Sequence, residues 1–205
     1  MQVSSQSLMQ NPGLMEERLL ALCRDGDREA LARVYADYEG AIYRYAFHML
    51  GNREDAHDIR QETFLKAFQS IGRFRGECSI KTWLFTICAN LCRRHRSTRR
   101  RREELLNSAV DDPVLRFEGL AGERETDNPL QALERAATIQ TILTALQSLP
   151  ANQREIIILR EIEQLSYEQI ARVIGCSAGS TRVTLFRARK RFVERAEALL
   201  KETDK

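Results

Sequence analysis

Apolar residues recur every three to four positions over most of the 205-residue chain, which predicts α-helices. In the first half this pattern begins near residue 14 and is broken at 25–27, at 51–52 and again from Gly72. Asp27 is placed to cap the helix that follows the first break. After the loop RFRGECS, a long helix is predicted from about Ile80 directly into an arginine tract.

The helical pattern is lost over residues 103–128 and resumes at Asn128-Pro129, where a capping residue precedes a proline in the first turn. Further helices are predicted to Pro150 and over roughly 151–163. Residues 14–102 and 129–200 therefore form two small helical domains of an all-α protein. A flexible acidic linker is expected at 103–128 and a disordered tail at 1–13.

The last predicted helix pair has the spacing of a helix-turn-helix. Ser166 and Gln169 form a capping box at its start. Ala171 is small enough for a close helix crossing, and Gly175, four residues later, accepts the backbone angles of a tight turn. The second helix, opening at about Ser177, is expected to lie in the DNA major groove.

Charge is distributed unevenly although the net charge is only +3. Residues 93–102 hold seven Arg and no acid, whereas 103–128 hold eight acidic residues against two Arg. Residues 182–195 hold six basic residues and one Glu. Two basic segments separated by an acidic one indicate two contacts with a polyanion.

Aromatic side chains accompany the first basic segment. Phe74, Trp83 and Phe85 fall next to a loop with small polar residues and at the base of the arginine-bearing helix. Unstacked bases are held on aromatic surfaces, and cations beside them hold the phosphate backbone. This combination is suited to a DNA strand that has been separated from its partner.

Other classes of protein have less support. No apolar run approaches the ~20 residues of a bilayer span, and the first residues lack a secretory signal, so a cytoplasmic protein is expected. Cys88, Cys92 and His95 leave open a thiol- or metal-dependent sensor, although no second ligand pair is seen. No catalytic set is visible, so we expect neither enzymatic activity nor a cofactor.

Two long segments carry a family resemblance. EDAHDIRQETFLKAFQSIGRFRGECSIKTWLFTICANLCRRH (54–95) resembles the region 2 domain of sigma-70-type RNA polymerase sigma factors. LQSLPANQREIIILREIEQLSYEQIARVIGCSAGSTRVTLFRARKRF (146–192) resembles their region 4 domain. No middle domain fits in the linker, which is the layout of the extracytoplasmic-function (ECF, group 4) subgroup. The resemblance implies a subunit that binds core polymerase, recognises −35 and −10 promoter elements and promotes melting.

The resemblance also implies roles for individual residues. Those expected to contact the β′ clamp helices of core polymerase are Asp58, Gln61, Glu62, Phe64 and Lys66. Those expected at the −10 element are Phe74, Arg75, Gly76, Ser79, Lys81, Thr82, Trp83, Arg93, Arg94 and Arg96. Those expected at the −35 element are Ser166, Tyr167, Ser180, Arg182, Val183, Phe186 and Arg187.

Further partners follow from the same resemblance. The apolar helix around Ile156–Leu159 is expected to rest on the polymerase β flap. An anti-sigma protein is expected to cover the polymerase-binding faces, and it could hold the chain at a membrane without direct insertion. Three positions of the second helix depart from the family pattern, Thr181, Val183 and Thr184. The resemblance therefore does not predict which −35 sequence is recognised. A conventional helix-turn-helix regulator is the alternative, but it leaves the arginine-bearing helix without a role.

Overall fold

The computed structural model describes residues 12–105 and 129–203, and within these ranges it contains helices and no strand. The first helical group, residues 12–105, contains α1 (Pro12–Arg24), α2 (Arg28–Leu50), α3 (Arg53–Ser70), a 3₁₀ turn (Ile71–Arg73) and α4 (Ile80–Leu105). The second helical group, residues 129–203, contains α5 (Pro129–Gln147), α6 (Ala151–Ile157), a π-helical turn (Ile158–Ile162), α7 (Tyr167–Ile174) and α8 (Ala178–Thr203). The all-α prediction is confirmed.

Local signals in the sequence set the helix ends of the first group. The Asp27 side chain accepts a hydrogen bond from the Ala30 N–H at 2.8 Å and so caps α2. Gly51 ends α2 in the left-handed conformation, with φ of 71°. Asn52 then caps α3 by accepting from the Asp55 N–H at 2.9 Å. These breaks lie where the sequence predicts them.

The edges of the predicted domains differ slightly from the observed helices. Helix α1 begins at Pro12, two residues before the predicted start, with proline in the first turn where its missing N–H costs nothing. Helix α4 continues to Leu105, three residues into the predicted linker, because Glu103 and Glu104 are good helix formers. The rest of the predicted linker and the predicted tail up to residue 11 lie outside the described residues.

A buried aromatic pair lies at the centre of the first group. Tyr45 on α2 and Phe85 on α4 meet edge to face, with ring centroids 5.4 Å apart. Ile42, Met49 and Leu84 are fully buried around them. Helices α2, α3 and α4 thus share one core, and α4 projects its arginine-bearing end beyond it.

The second group packs α5, α6, α7 and α8 around a core that includes Ile158, Leu165, Ile170 and Leu185. The helix predicted over 151–163 is α-helical only to Ile157 and then widens into the π-helical turn. Residues 156–159 are buried in this core. They present no exposed apolar surface in this arrangement, and the expected contact with the β flap stays a prediction.

Polar contacts join the two helical groups. The Tyr45 hydroxyl donates to Glu155 Oε1 at 3.0 Å, and Arg154 Nη1 donates to the Met49 carbonyl at 3.1 Å. Lys81 Nζ donates to the Glu163 carbonyl at 2.6 Å. Helix α7 also packs against α4. The described chain is therefore a docked pair of domains, and none of its described helices has the length and apolar character that crossing a membrane requires.

Candidate nucleic-acid interface

Helices α7 and α8 form the helix-turn-helix that the sequence predicts. The Ser166 hydroxyl accepts from the Gln169 N–H at 3.2 Å, and the Gln169 side chain accepts from the Ser166 N–H at 2.7 Å. This reciprocal pair is the predicted capping box. Gly175 ends α7 with φ of 80°, a conformation that favours glycine, and its N–H donates to the Ala171 carbonyl at 2.9 Å.

One face of α8 is buried and the opposite face is open. Thr181, Leu185 and Ala188 are buried against the rest of the second group. The exposed face of the first three turns carries Ser180, Arg182, Val183, Phe186 and Arg187. Phe186 is 72% exposed and Val183 is 52% exposed. Guanidinium groups pair with guanine and apolar side chains contact the thymine methyl group, so this face has the chemistry of a base-reading surface.

Tyr167 lies beneath one of the predicted base-reading arginines. Its half-buried ring has the Arg182 guanidinium 5.1 Å from its centroid and the Arg160 guanidinium at 4.9 Å. Such cation–π contacts restrict the orientation of an arginine without using its hydrogen-bond donors. The Ser166 hydroxyl is already engaged in capping α7. Both residues thus have structural contacts in the chain in addition to their expected place at DNA.

Loop 75–79, between the 3₁₀ turn and α4, contains three of the predicted −10 contacts, and others flank it. The ring of Phe74 is buried and stacks on Trp83, with centroids 4.5 Å apart and planes 12° from parallel. Thr82 is fully buried, and its N–H donates to Ser79 Oγ at 3.1 Å. Phe74 and Thr82 therefore lie under the loop, while Arg75 and Gly76 are exposed.

The predicted cations of α4 have partners in the docked arrangement. Arg93 Nη1 donates to Glu155 Oε1 at 2.8 Å, and Arg94 Nη2 donates to Glu62 Oε1 at 2.8 Å. Lys81 reaches the Glu163 carbonyl, as described above, and Arg96 is half-buried. Two of these four cations therefore contact the second helical group.

Glu155 is the buried carboxylate that receives both Arg93 and Tyr45. The pKa of Glu155 is raised above its ordinary value. Burial is the largest cause, and Arg93 and the Tyr45 hydroxyl oppose it without reversing it. The same pattern holds at Glu163, where burial raises the pKa and Arg44 and Lys81 oppose it. The interface between the two groups thus buries two acids whose positive partners belong to the first group.

The exposed face of α3 carries part of the predicted polymerase contact. Asp58 and Gln61 are exposed, and Glu62 is half-buried between Lys66, at 3.5 Å, and Arg94. Phe64, in contrast, is 3% exposed and packs against other rings in the core. Leu65 beside it is 57% exposed, a residue that the sequence reasoning missed. The sequence does contain this information, because Leu65 lies outside the apolar stripe of α3.

The cysteines give no support to the sensor hypothesis. Cys88 and Cys92 are free and buried, and the hydrogen bond with the Cys88 thiol, followed by burial, raises the pKa of Cys92. His95 Nε2 lies 3.3 Å from Asp55 Oδ2 instead. Within residues 12–105 and 129–203, no cluster of three metal-binding side chains is found. The expectation that no cofactor is needed stays a prediction.

Comparison with known proteins agrees with the two-part architecture. The family model described as sigma-70 region 2 matches residues 34–102, and the one described as sigma-70, region 4 matches residues 139–192. The RNA polymerase sigma-H factor of Pseudomonas aeruginosa is 32% identical over 91% of this chain and 96% of its own length. The ECF RNA polymerase sigma-E factor of Haemophilus influenzae is 29% identical over 91% of this chain and 98% of its own.

Solved structures share the fold. The sigma factor RpoE of Bartonella quintana, in complex with the anti-sigma factor NepR, aligns with a TM-score of 0.61 and 28% identity, over 81% of this chain and 96% of the other. CnrH, in complex with the cytosolic domain of CnrY, aligns with a TM-score of 0.63 and 23% identity, over 89% and 97%.

Helical domains at both ends of the chain, one with an arginine-bearing helix and one with a helix-turn-helix, define a DNA-binding initiation factor. The chain belongs to the sigma-70 family, in its extracytoplasmic-function group of RNA polymerase sigma factors. The region 2 match accounts for the arginine-bearing helix, which a conventional helix-turn-helix regulator leaves unexplained. The predicted function is confirmed at this level.

Proposed function

We propose that this sigma factor reads the −35 element with the exposed face of α8 and captures a base of the −10 strand at loop 75–79. The observation that carries the −35 assignment is the exposed set of Arg182, Val183, Phe186 and Arg187 on a helix whose other face is fixed in a helix-turn-helix. Exposed apolar surface of this size is unfavourable in water and typically marks a binding site. Beside cations it suits contact with the edges of DNA bases.

The −10 assignment is supported by the surroundings of loop 75–79. Gly76 has φ of 77°, and the Phe74–Trp83 stack joins the residue before the loop to the first turn of α4. The cations of α4 continue from this stack along one helix. A loop beside an aromatic stack and adjacent positive charge suits an unstacked base with its phosphates.

Core polymerase binds the exposed face of α3 in this proposal. Asp58 and Gln61 provide the polar contacts, and Leu65 provides an apolar centre, which strengthens an interface because it is desolvated on binding. The chain performs no chemistry itself; nucleotide transfer is the work of the polymerase.

Both promoter boxes are bound only after the helical groups separate. The two boxes are about 25 base pairs apart, or about 85 Å of duplex at 3.4 Å per step. In the docked arrangement Lys81 and Arg93 contact Glu163 and Glu155 of the other group. Residues 106–128 could reach about 80 Å if extended, enough for widely separated domains.

An anti-sigma protein is the expected inhibitor. The structural relatives include sigma factors in complex with anti-sigma factors. On this chain such a partner would cover the exposed α3 face around Leu65, because polymerase needs that face and it carries exposed apolar surface. Polymerase and promoter DNA place the working protein in the cytoplasm.

Footprinting with reconstituted holoenzyme tests the −35 assignment. The wild type is expected to protect two boxes, and the double variant Arg182→Ala, Arg187→Ala is expected to lose the upstream one, at about 1–3 kcal/mol per lost base contact. The double variant Arg195→Ala, Lys201→Ala removes the same charge from the far end of α8 and serves as the control. Unchanged upstream protection with the first variant would refute the assignment.

A further inference from the structure

Helix α1 has no role in the proposed function, and the region 2 match begins only at residue 34. Three of its side chains nevertheless converge on loop 75–79. Glu16, Leu20 and Arg24 are spaced by four residues and therefore share one face of the helix. Arg24 and Glu16 bind the backbone on either side of the loop, and Leu20 lies beside Gly76 within it.

Arg24 holds the entrance of the loop. Its Nε donates to the Phe74 carbonyl at 2.9 Å, and its Nη2 donates to the same oxygen. The guanidinium also lines an open surface cavity together with Arg73 and Arg75. The backbone just before the loop is thus fixed by a charged side chain from another helix, and the loop entrance is strongly positive.

Glu16 holds the exit of the loop. Its Oε1 accepts a hydrogen bond of 2.6 Å from the N–H of Ile80, the first residue of α4. A carboxylate at a helix N-terminus satisfies a free backbone donor and interacts favourably with the helix dipole. Together with the Ser79 hydroxyl, which accepts from the Thr82 N–H, this contact satisfies two of the free backbone donors at the start of α4.

Leu20 supports the middle of the loop. It is buried, and its Cδ2 atom is 3.4 Å from the position that a Cβ would occupy on Gly76. Gly76 has φ of 77°, which a residue with a side chain rarely adopts. The loop therefore bends over Leu20 at a point where only glycine fits without strain.

We propose that α1 is a positioning element that holds loop 75–79 in the conformation that captures the −10 base. This inference rests on the proposed function of the loop. A loop fixed at both ends and supported in the middle loses little conformational entropy when it binds, so its affinity and its base selectivity are higher than those of a free loop.

The test uses full-length protein assembled with core polymerase. The probe is a fluorescein-labelled single-stranded DNA 12-mer enriched by wild-type holoenzyme from a randomised pool, together with versions that carry one abasic residue at each position in turn. The test variant is Glu16→Ala, Arg24→Ala, which removes both the acceptor and the donor. The control is Glu17→Ala, Arg18→Ala, which makes the same charge changes at exposed positions of the same helix.

The wild type and the control are expected to show one position at which loss of the base weakens binding about tenfold. In the test variant that penalty falls below about threefold, while polymerase binding and the melting temperature stay close to wild type. Arg24→Lys alone, which retains a charged donor, is expected to recover most of the selectivity. Gly76→Ala places a methyl group against Leu20 at a backbone angle that favours glycine, and it is expected to reduce the abasic penalty in the same way.

Two results would count against the proposal in distinguishable ways. If the test variant and Gly76→Ala keep the full abasic penalty of the wild type, α1 does not position the loop, and the proposed −10 role of the loop survives. If wild-type holoenzyme shows no position that is sensitive to base removal, base capture by the loop is itself wrong, and the role of α1 is rejected with it.

Discussion

Replacement of Phe186 by Ala gives a sharp test of the base-reading surface, because the ring lies in solvent in the free protein. It is 72% exposed, more than any other exposed large apolar side chain among the described residues. Removing a ring that packs against so little of the protein should leave the free energy of unfolding nearly unchanged. The effect should therefore appear in DNA binding alone.

The magnitude follows from the exposed fraction. Complete burial of a phenylalanine side chain is worth about 1.5–3 kcal/mol. If DNA covers most of the exposed part of the Phe186 ring, its contact contributes up to about 2 kcal/mol, or about 30-fold in Kd. Phe186→Leu should lose less than Phe186→Ala, since leucine retains part of the apolar contact with a thymine methyl group.

Fluorescence anisotropy with a duplex that contains the upstream box, titrated with holoenzyme, measures this loss. Leu200→Ala is the matched control, because Leu200 is 49% exposed on the same helix but lies about 21 Å further along it. Equal affinities for wild type and Phe186→Ala would refute the proposed groove face. Equal losses in Phe186→Ala and Leu200→Ala would also refute it, since the effect would not depend on position along the helix.

Three further predictions concern other parts of the chain. Leu65→Ala should weaken core polymerase binding about fivefold in a competition assay and leave the melting temperature unchanged; unchanged binding would remove Leu65 from the docking face. Tyr45→Phe deletes the hydroxyl that donates to Glu155, so the separated form should become more populated and the radius of gyration in X-ray scattering should rise; an identical scattering curve would contradict this. Burial, followed by the charge of Arg44, lowers the pKa of His48 from 6.5 to about 4, so the folded state favours the neutral imidazole. The contribution of His48 to the free energy of unfolding is therefore fully present above pH 6.5 and decreases as the pH falls towards 4. At pH 5 the decrease is about 2 kcal/mol. Denaturant unfolding of wild type and His48→Gln, above pH 6.5 and at pH 5, isolates this decrease. The opposite pH dependence that the buried Glu residues cause is common to the two proteins. The same change in the free energy of unfolding with pH in both proteins would contradict the prediction.

Helix ends and the helix-turn-helix were predictable because their signals are local. The Asp27 cap, the glycine at 51 and the capping box at Ser166 each act within four residues of the chain. The fold class followed from such signals and from the spacing of apolar residues.

Burial of individual side chains was harder to predict. Phe64 and Leu65 are adjacent and apolar, yet one is 3% and the other 57% exposed. The stripe of α3 through Ile59, Thr63 and Ala67 places Leu65 on the outer face, so the helical period contained this information. The family motif led instead to Phe64, because a motif shows which residues recur and not which of them face outward.

Contacts between distant segments left no local signal. Tyr45 and Glu155 are 110 residues apart, and Glu155 looks like an ordinary surface charge on a short helix. The same is true of Glu16 and Arg24, whose partners are the N–H of Ile80 at the start of α4 and the carbonyl of Phe74 just before loop 75–79. Backbone partners of this kind cannot be identified from residue types, so the docked arrangement and the role of α1 needed the three-dimensional structure.

Initiation in a defined system tests the central claim most directly. Purified chain, core polymerase and genomic DNA fragments would be combined, holoenzyme would be separated by size, and transcript 5′ ends would be mapped. We expect the chain to co-elute with core polymerase and to direct initiation at discrete sites that core polymerase alone does not use. A chain that remains separate from core polymerase, or a set of 5′ ends identical to that of core polymerase alone, would contradict the account.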